Sequence, residues 1–211
     1  MAEWVIGRIL SHERGFALSQ RDQANKQWAQ SSEILEYRYL NEMTVSILGS
    51  TGDIGRCIGK ACKAFGMKTV GYSRSGGNAD DTNDVFDEQT TNLVTALQAA
   101  DYIVSVLPST EATRGLLTLD KLQAANSQNG EKSPPVLINV GRGDLISTDT
   151  ILQALDDNHL SAAILDVFEE EPLPQDNPLW NHPKVTISPH VSALTRGKDV
   201  PKVILEQYER Y

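Results

Sequence analysis

Between residues 44 and 189, short and mostly apolar runs recur with polar stretches of helical pattern between them. The runs are TVSILG (44–49), KTVGYS (68–73), DYIVSVL (101–107), VLINVG (136–141), SAAILDV (161–167) and KVTISP (184–189). They have strand length and too little alternation for a sheet with one face in water, so they predict buried strands. Between them helices are predicted at 53–65, closed by Gly66, at 88–100, at 119–125, and from a Ser147 or Thr148 cap through Asp157. This alternation predicts an α/β fold, a doubly wound parallel sheet covered on both faces. Ahead of it, residues 1–30 predict one amphipathic helix, apolar at Val5, Ile6, Ile9, Leu10, Phe16 and Ala17 and weakened by Gly7 and Gly15. Residues 31–42 read as a connector, 73–84 as a polar loop and 127–135 as a surface turn.

Composition narrows the picture. The 211 residues suffice for one large domain or two small ones. The pattern divides them into a linking helix and connector (1–40), a nucleotide-binding domain (41–196) and a C-terminal helix (197–211). A net charge of −9 would repel a phosphate backbone, which argues against nucleic-acid partners. It leaves room for one phosphate held by a few aimed N–H groups. No apolar run approaches the roughly 20 residues of a membrane span, and MAEWVIGRIL is no secretion signal. Cys57 and Cys62 lie on one predicted helix at a spacing that suits no metal, so both read as reduced packing residues and no metal site is expected. That usage suits a reducing compartment, and the cytoplasm is the expected location.

Candidate chemistry begins at ILGSTGDIG (47–55). A strand, a glycine turn and a helix start make an anion site, because free N–H groups and the helix dipole converge there. The glycines fall at 49, 52 and 55, a G-x-x-G-x-x-G spacing, one residue longer than the usual dinucleotide fingerprint. Gly52, Asp53 and Ile54 are the candidate phosphate contacts. At the end of the second strand stands Ser73-Arg74-Ser75, where an acid would grip the ribose of NAD. A hydroxyl and a guanidinium suit a 2′-phosphate, so NADP(H) is expected over NAD(H), the alternative being a solvated loop arginine.

Three more patches follow later strands. Arg142, in INVGRGDLI (138–146), either binds a carboxylate or pairs with Asp144 in the turn. In ILDVFEEEPLP (164–174), Glu169 and Glu170 read as a solvated acidic face. His190 ends VTISPH, and a carboxylate partner would stabilise its protonated form and keep it an acid near neutral pH. Such a pair can protonate a carbonyl oxygen while hydride reaches its carbon, with Arg142 on the substrate's negative end. His12, His159 and His182 lack this context.

From about Thr44 to Arg196 these residues resemble the coenzyme-binding domain of the D-isomer-specific 2-hydroxyacid dehydrogenases, and within them the glyoxylate/hydroxypyruvate reductases. The segments that carry the resemblance are GDIGR (52–56), SVLPSTEATRGLL (105–117), INVGRGDLI (138–146), the block ILDVFEEEPLPQDNPLWNHPKVTISPHVSALTR (164–196) and the opening EWVIGRIL. The resemblance implies a Rossmann-type NAD(P)-binding domain and reduction of a small 2-keto acid. It implies catalytic roles for Arg142, Glu171 and His190. It implies that Leu107, Pro108 and Thr113 line the adenosine and pyrophosphate groove, that Asp166 touches the nicotinamide carboxamide, and that Val140, Gly141, Arg142 and His190 border the cofactor. A homodimer through this domain is implied as well.

Two departures from the family pattern stand out. Ser50 and Thr51 both intervene where the family has one residue, which sets Ser50 in the register of a glycine. Family members also carry a separate substrate-binding domain ahead of the segment matched here, so the chain is expected to be the coenzyme half of such an enzyme. The alternative is a non-catalytic nucleotide-binding or dimerisation module. A short-chain dehydrogenase, whose extended members also use the longer glycine spacing, requires Tyr-x-x-x-Lys, and no tyrosine here has a lysine four residues on.

Overall fold

The computed structural model describes residues 1–28, 32–76, 84–98, 100–127 and 133–194. The predicted C-terminal helix at 197–211, residues 77–83 of the expected polar loop and residues 128–132 of the expected surface turn lie outside the described residues.

Seven strands form one parallel sheet. In chain order they are β1 (Thr44–Leu48), β2 (Lys68–Tyr72), β3 (Glu88–Thr90), β4 (Tyr102–Ser105), β5 (Val136–Asn139), β6 (Ala162–Leu165) and β7 (Val185–Ile187). Their spatial order is β3-β2-β1-β4-β5-β6-β7, and every neighbouring pair is parallel. The order reverses between β1 and β4. Such a switch point opens a crevice at the carboxyl ends of the strands, where doubly wound sheets bind ligands.

Alternating side chains sort the core into two layers. Val45, Ile47, Val104, Ile138 and Ile164 face a cluster with Val5, Ile6 and Ile9 of α1 (Ala2–Glu13) and Ile58 and Cys62 of α4 (Asp53–Ala64). Leu48, Ile103, Leu137 and Leu165 face the other cluster. It is filled by α5 (Leu93–Gln98), α6 (Leu119–Asn126) and α7 (Thr148–Asp156). The helix read as a linker therefore shares the core of the sheet: Val5 and Ile9 are fully buried.

Two expectations about elements change. Residues 1–30 do not form one helix. Gly15 takes φ +57°, which breaks the run into α1 and α2 (Phe16–Ala24), and a short turn of helix, α3, spans Ser32–Leu35. Nor is 88–100 one helix. Glu88, Gln89 and Thr90 pair with Val70, Gly71 and Tyr72 as an edge strand, and α5 follows. Asn92 separates the two: its Oδ1 accepts from Thr95 N at 3.1 Å, a side-chain cap that starts the helix. Ser147, rather than Thr148, caps α7 by accepting from Thr150 N at 3.2 Å.

The cysteines divide. Cys62 is buried, and burial pushes its thiol up to about 12. Cys57 is exposed, so its reading as a packing residue is corrected, because it occupies the outer face of α4. Among the described residues, no helix is long and apolar enough to cross a membrane.

Candidate active site

The glycine turn after β1 lies in the crevice. Gly49 takes φ +105°, and a Cβ on it would meet Val106 at 2.9 Å. A Cβ on Gly55 would stand 2.2 Å from Gly49 O, so the first turn of α4 sits against the backbone of the loop. The longer spacing is absorbed inward. Ser50 is 1% exposed and packs against Gly71 of β2, where an added Cβ would meet Ser50 Cβ at 2.9 Å. Thr51, Gly52, Asp53 and Ile54 all remain exposed at the start of α4. The first N–H groups of a helix have no partner within it and can face an anion.

A cavity of about 210 Å³ opens beside this turn. It brings together six residues picked out from the sequence, Ser73, Arg74, Ser75, Leu107, Pro108 and Thr113. Arg74 and Ser75 are exposed and Ser73 is buried. Thr113 ties its loop together: its Oγ1 donates to Pro108 O at 2.5 Å and accepts from Thr110 N at 2.8 Å. Thr51, Thr110 and Leu116 also line the cavity and were missed. The P-S-T-E-A-T stretch, with hydroxyls three apart, is the signal that could have found Thr110. Gly141 packs closely on the Leu107 loop, since a Cβ there would lie 2.6 Å from Leu107 O. Val140 is 2% exposed, so its side chain belongs to the core and only its backbone could meet a ligand.

The second part of the site is built from the loops after β6 and β7. Glu171 and His190 lie 19 residues apart and meet through Oε2 and Nδ1 at 2.7 Å. The other Glu171 oxygen, Oε1, accepts from Phe168 N at 2.9 Å, which fixes the carboxylate. With Nδ1 occupied, Nε2 is the ring nitrogen left to exchange a proton with a third group. His190 takes φ +52°, a left-handed conformation that is uncommon outside glycine. Its N–H donates to Asp166 O at 2.9 Å and Ser188 O at 3.1 Å, which hold that backbone in place.

Asp166 is 0% exposed. Its Oδ1 accepts from Ser188 Oγ at 2.5 Å and Val191 N at 3.0 Å, and its Oδ2 from Ser192 N at 2.8 Å. Burial works to raise this carboxyl, but the Ser188 hydroxyl and the backbone donors outweigh it and hold the group below its ordinary value. The expected contact between Asp166 and a nicotinamide carboxamide does not follow from this geometry, because the carboxylate is closed over by the His190 loop.

Arg142 is exposed, and its Nη1 donates to Gly141 O at 2.7 Å. The turn pairing with Asp144 is not made. Asp144 accepts from Ser109 Oγ at 2.5 Å and pairs with Arg114 at 3.3 Å. The Arg142 loop abuts the Glu171 loop through Gly143, where a Cβ would meet Phe168 C and O at 1.9 Å. Glu169 is exposed as expected, yet it accepts from Thr148 N at 2.7 Å and so serves the N-terminus of α7. His12 is elsewhere, edge-on to Tyr102 at 6.1 Å, and burial lowers its imidazole.

Residues 6–192 match the family model described as D-isomer specific 2-hydroxyacid dehydrogenase, NAD binding domain. A glyoxylate/hydroxypyruvate reductase A of Serratia proteamaculans is 32% identical over 209 residues, covering 98% of this chain and 61% of the relative. A solved D-isomer specific 2-hydroxyacid dehydrogenase family protein from Aeromonas salmonicida is 39% identical with a TM-score of 0.81, covering 99% of this chain and 63% of its own. The NADPH-dependent glyoxylate/hydroxypyruvate reductase of Sinorhizobium meliloti, solved with NADP and sulfate, has a TM-score of 0.81 at 30% identity. It too is covered over 63% of its length. The chain thus spans about 61% of the length of the curated relatives it matches. On the match to its NAD binding domain, which takes in the glycine turn and both loops of the site, the chain belongs to the D-isomer specific 2-hydroxyacid dehydrogenase family.

Proposed function

We propose that this chain is the coenzyme-binding part of an NADP(H)-dependent reductase that converts a small 2-keto acid, of the glyoxylate or hydroxypyruvate type, to the D-2-hydroxy acid. The observation that carries the reading is the 2.7 Å contact between His190 Nδ1 and Glu171 Oε2 at the carboxyl ends of the strands. The dinucleotide fits the residues present: the Gly49–Gly55 approach leaves no space for a Cβ, and the neighbouring cavity offers Ser73, Arg74 and Ser75 at its ribose end. Exposed Arg74 beside two serines, with no acid in the triplet, favours a 2′-phosphate, and relatives solved with NADP point the same way.

When bound, the nicotinamide supplies a hydride. The chain's own residues do the rest. Arg142 holds the substrate carboxylate, which aligns the carbonyl. His190 delivers a proton from Nε2 to the carbonyl oxygen, and Glu171 keeps the ring oriented and its protonated form favoured. Asp166 acts through the loop rather than on the cofactor. A homodimer through this domain belongs to the same reading, on the resemblance to the family. The reduced thiols support a cytoplasmic location.

The test compares the protein with His190→Ala, following NADPH oxidation with glyoxylate and coenzyme affinity by fluorescence titration. The variant is expected to lose about 10²–10⁴-fold in turnover, the usual contribution of a general acid, with NADPH affinity changed only a few-fold. Equal turnover in both proteins would sink the assignment. Tight NADPH binding with no turnover of any 2-keto acid would favour the non-catalytic nucleotide-binding module.

A further inference from the structure

The turn after β5 sets Arg142 and Asp144 on either side of Gly143. Positions two apart in a chain are separated by at most about 7 Å, which an arginine side chain spans. Asp144 is therefore a close competitor for the charge of Arg142. The loop after β4 takes it instead. Asp144 Oδ2 accepts from Ser109 Oγ at 2.5 Å and lies 3.3 Å from Arg114 Nε. Arg114 Nε also donates to Ser109 Oγ at 3.2 Å, so the three groups close a triangle. Backbone bonds run alongside and hold the turn to the loop. Asp144 O accepts from Gly115 N at 2.8 Å, and Leu145 O accepts from Leu117 N at 3.1 Å.

Arg142 is left with its donors to spare. A guanidinium has five N–H groups, and Nη1 turns back to Gly141 O. Among the described residues no carboxylate is paired with it. The loop that holds Asp144 also lines the coenzyme cavity, through Pro108, Thr110, Thr113 and Leu116. Ser109 and Arg114 are not in that lining, so a direct hold on the coenzyme does not account for them.

We infer, resting on the role that the proposed function gives Arg142, that Ser109 and Arg114 are positioning residues that sequester Asp144 and keep Arg142 open to the substrate carboxylate. Two carboxylates, one from the chain and one from the substrate, compete for one guanidinium. Arg114 decides the competition by taking the chain's own, and Ser109 holds the same oxygen in place. Arg114 thus acts on substrate binding without touching the substrate.

The test measures glyoxylate binding by isothermal titration to protein saturated with NADP⁺, so that no turnover occurs. Ser109→Ala combined with Arg114→Met releases the carboxylate. The dissociation constant for glyoxylate is then expected to rise about fivefold, the scale of one exposed ion pair, with NADP⁺ affinity little changed. Adding Asp144→Asn to that pair should bring the constant back to that of the unsubstituted protein. The rescue separates sequestration from a plain structural clamp, because a clamp that has lost two members only loosens further when the third goes. An unchanged constant in the double variant, or a triple variant that binds no better than the double, overturns the inference. Arg142→Met tests the underlying reading separately, and should weaken glyoxylate by about tenfold or more, the scale of hydrogen bonds between charged groups. If it leaves binding unchanged, or if the unsubstituted protein binds no glyoxylate, the role of Arg142 falls and the inference with it.

Discussion

Asp166 couples two strand ends through one carboxylate. Three donors from the Ser188–Ser192 segment converge on it, and its backbone oxygen takes the N–H of His190. Removing the charge leaves those donors facing a poorer partner. Asp166→Asn is expected to lower stability by about 2–3 kcal/mol, the scale of hydrogen bonds to a charged group. The pH dependence has a definite sign. The folded carboxyl is held below its ordinary value, so its contribution is full above the ordinary carboxylate range of about 3.9 and is lost as pH falls through the folded value. Chemical denaturation of both proteins at neutral and acid pH checks this, and equal acid sensitivity would refute it. At this scale the sequence was readable where chemistry repeats in a motif. His190 and Glu171 meet as expected, and Arg142 stays clear of Asp144. Burial was not readable. Nothing in LDVF says that its aspartate is closed over while the glutamates after it stay exposed.

Elements that carry the site are held by close backbone approaches, and these admit sharp tests. Gly55→Ala would drive a methyl into Gly49 O, a backbone atom that cannot swing aside. Overpacking of this kind costs about 1–3 kcal/mol. A lowered melting temperature together with at least tenfold weaker NADPH binding is expected, and unchanged binding would show that the turn does not hold the coenzyme. Elements with strong apolar runs were legible in advance, within a residue or two at their ends. The two misread ones have different physical causes. β3 is polar, Glu88-Gln89-Thr90, because it is an edge strand whose side chains stay largely outside the core. The 1–30 segment kept helical periodicity across Gly15, and the break is a single left-handed residue.

At the scale of the whole molecule, the end of the sheet opposite the crevice is closed by a charged clamp. Glu13 of α1 takes Arg38 Nη2 at 2.6 Å and the Tyr102 hydroxyl at 2.6 Å. Arg38 Nη1 reaches Asp101 at 2.8 Å, and the second Asp101 oxygen accepts from Thr44 N at 2.8 Å. Burial first, and then Glu13, push the Tyr102 hydroxyl up, so it stays a donor. The clamp fastens the connector and α1 to the starts of β1 and β4. Arg38→Met is expected to cost about 2 kcal/mol, less than the 3–5 of a fully buried pair because the arginine side chain is 41% exposed. Adding Glu13→Gln should return part of the loss, and a double-mutant cycle by denaturant unfolding measures it. Purely additive losses would count against a coupled clamp. None of this was visible in advance, since residues 13, 38 and 101 share no motif and only the sheet brings them together. The parallel sheet was visible, because six of its seven strands repeat one apolar pattern, and the switch point follows once the strand order is known.

Ser50 bears on how glycine motifs are compared between proteins. A spacing rule counts positions along the chain, whereas a phosphate meets only those that face outward. Here one position has been folded under its neighbours against Gly71, and the surface run Thr51 to Ile54 stays intact. Two turns of different length can therefore present the same face. A comparison that scores facing positions would group them, where one that scores spacing would set this chain apart.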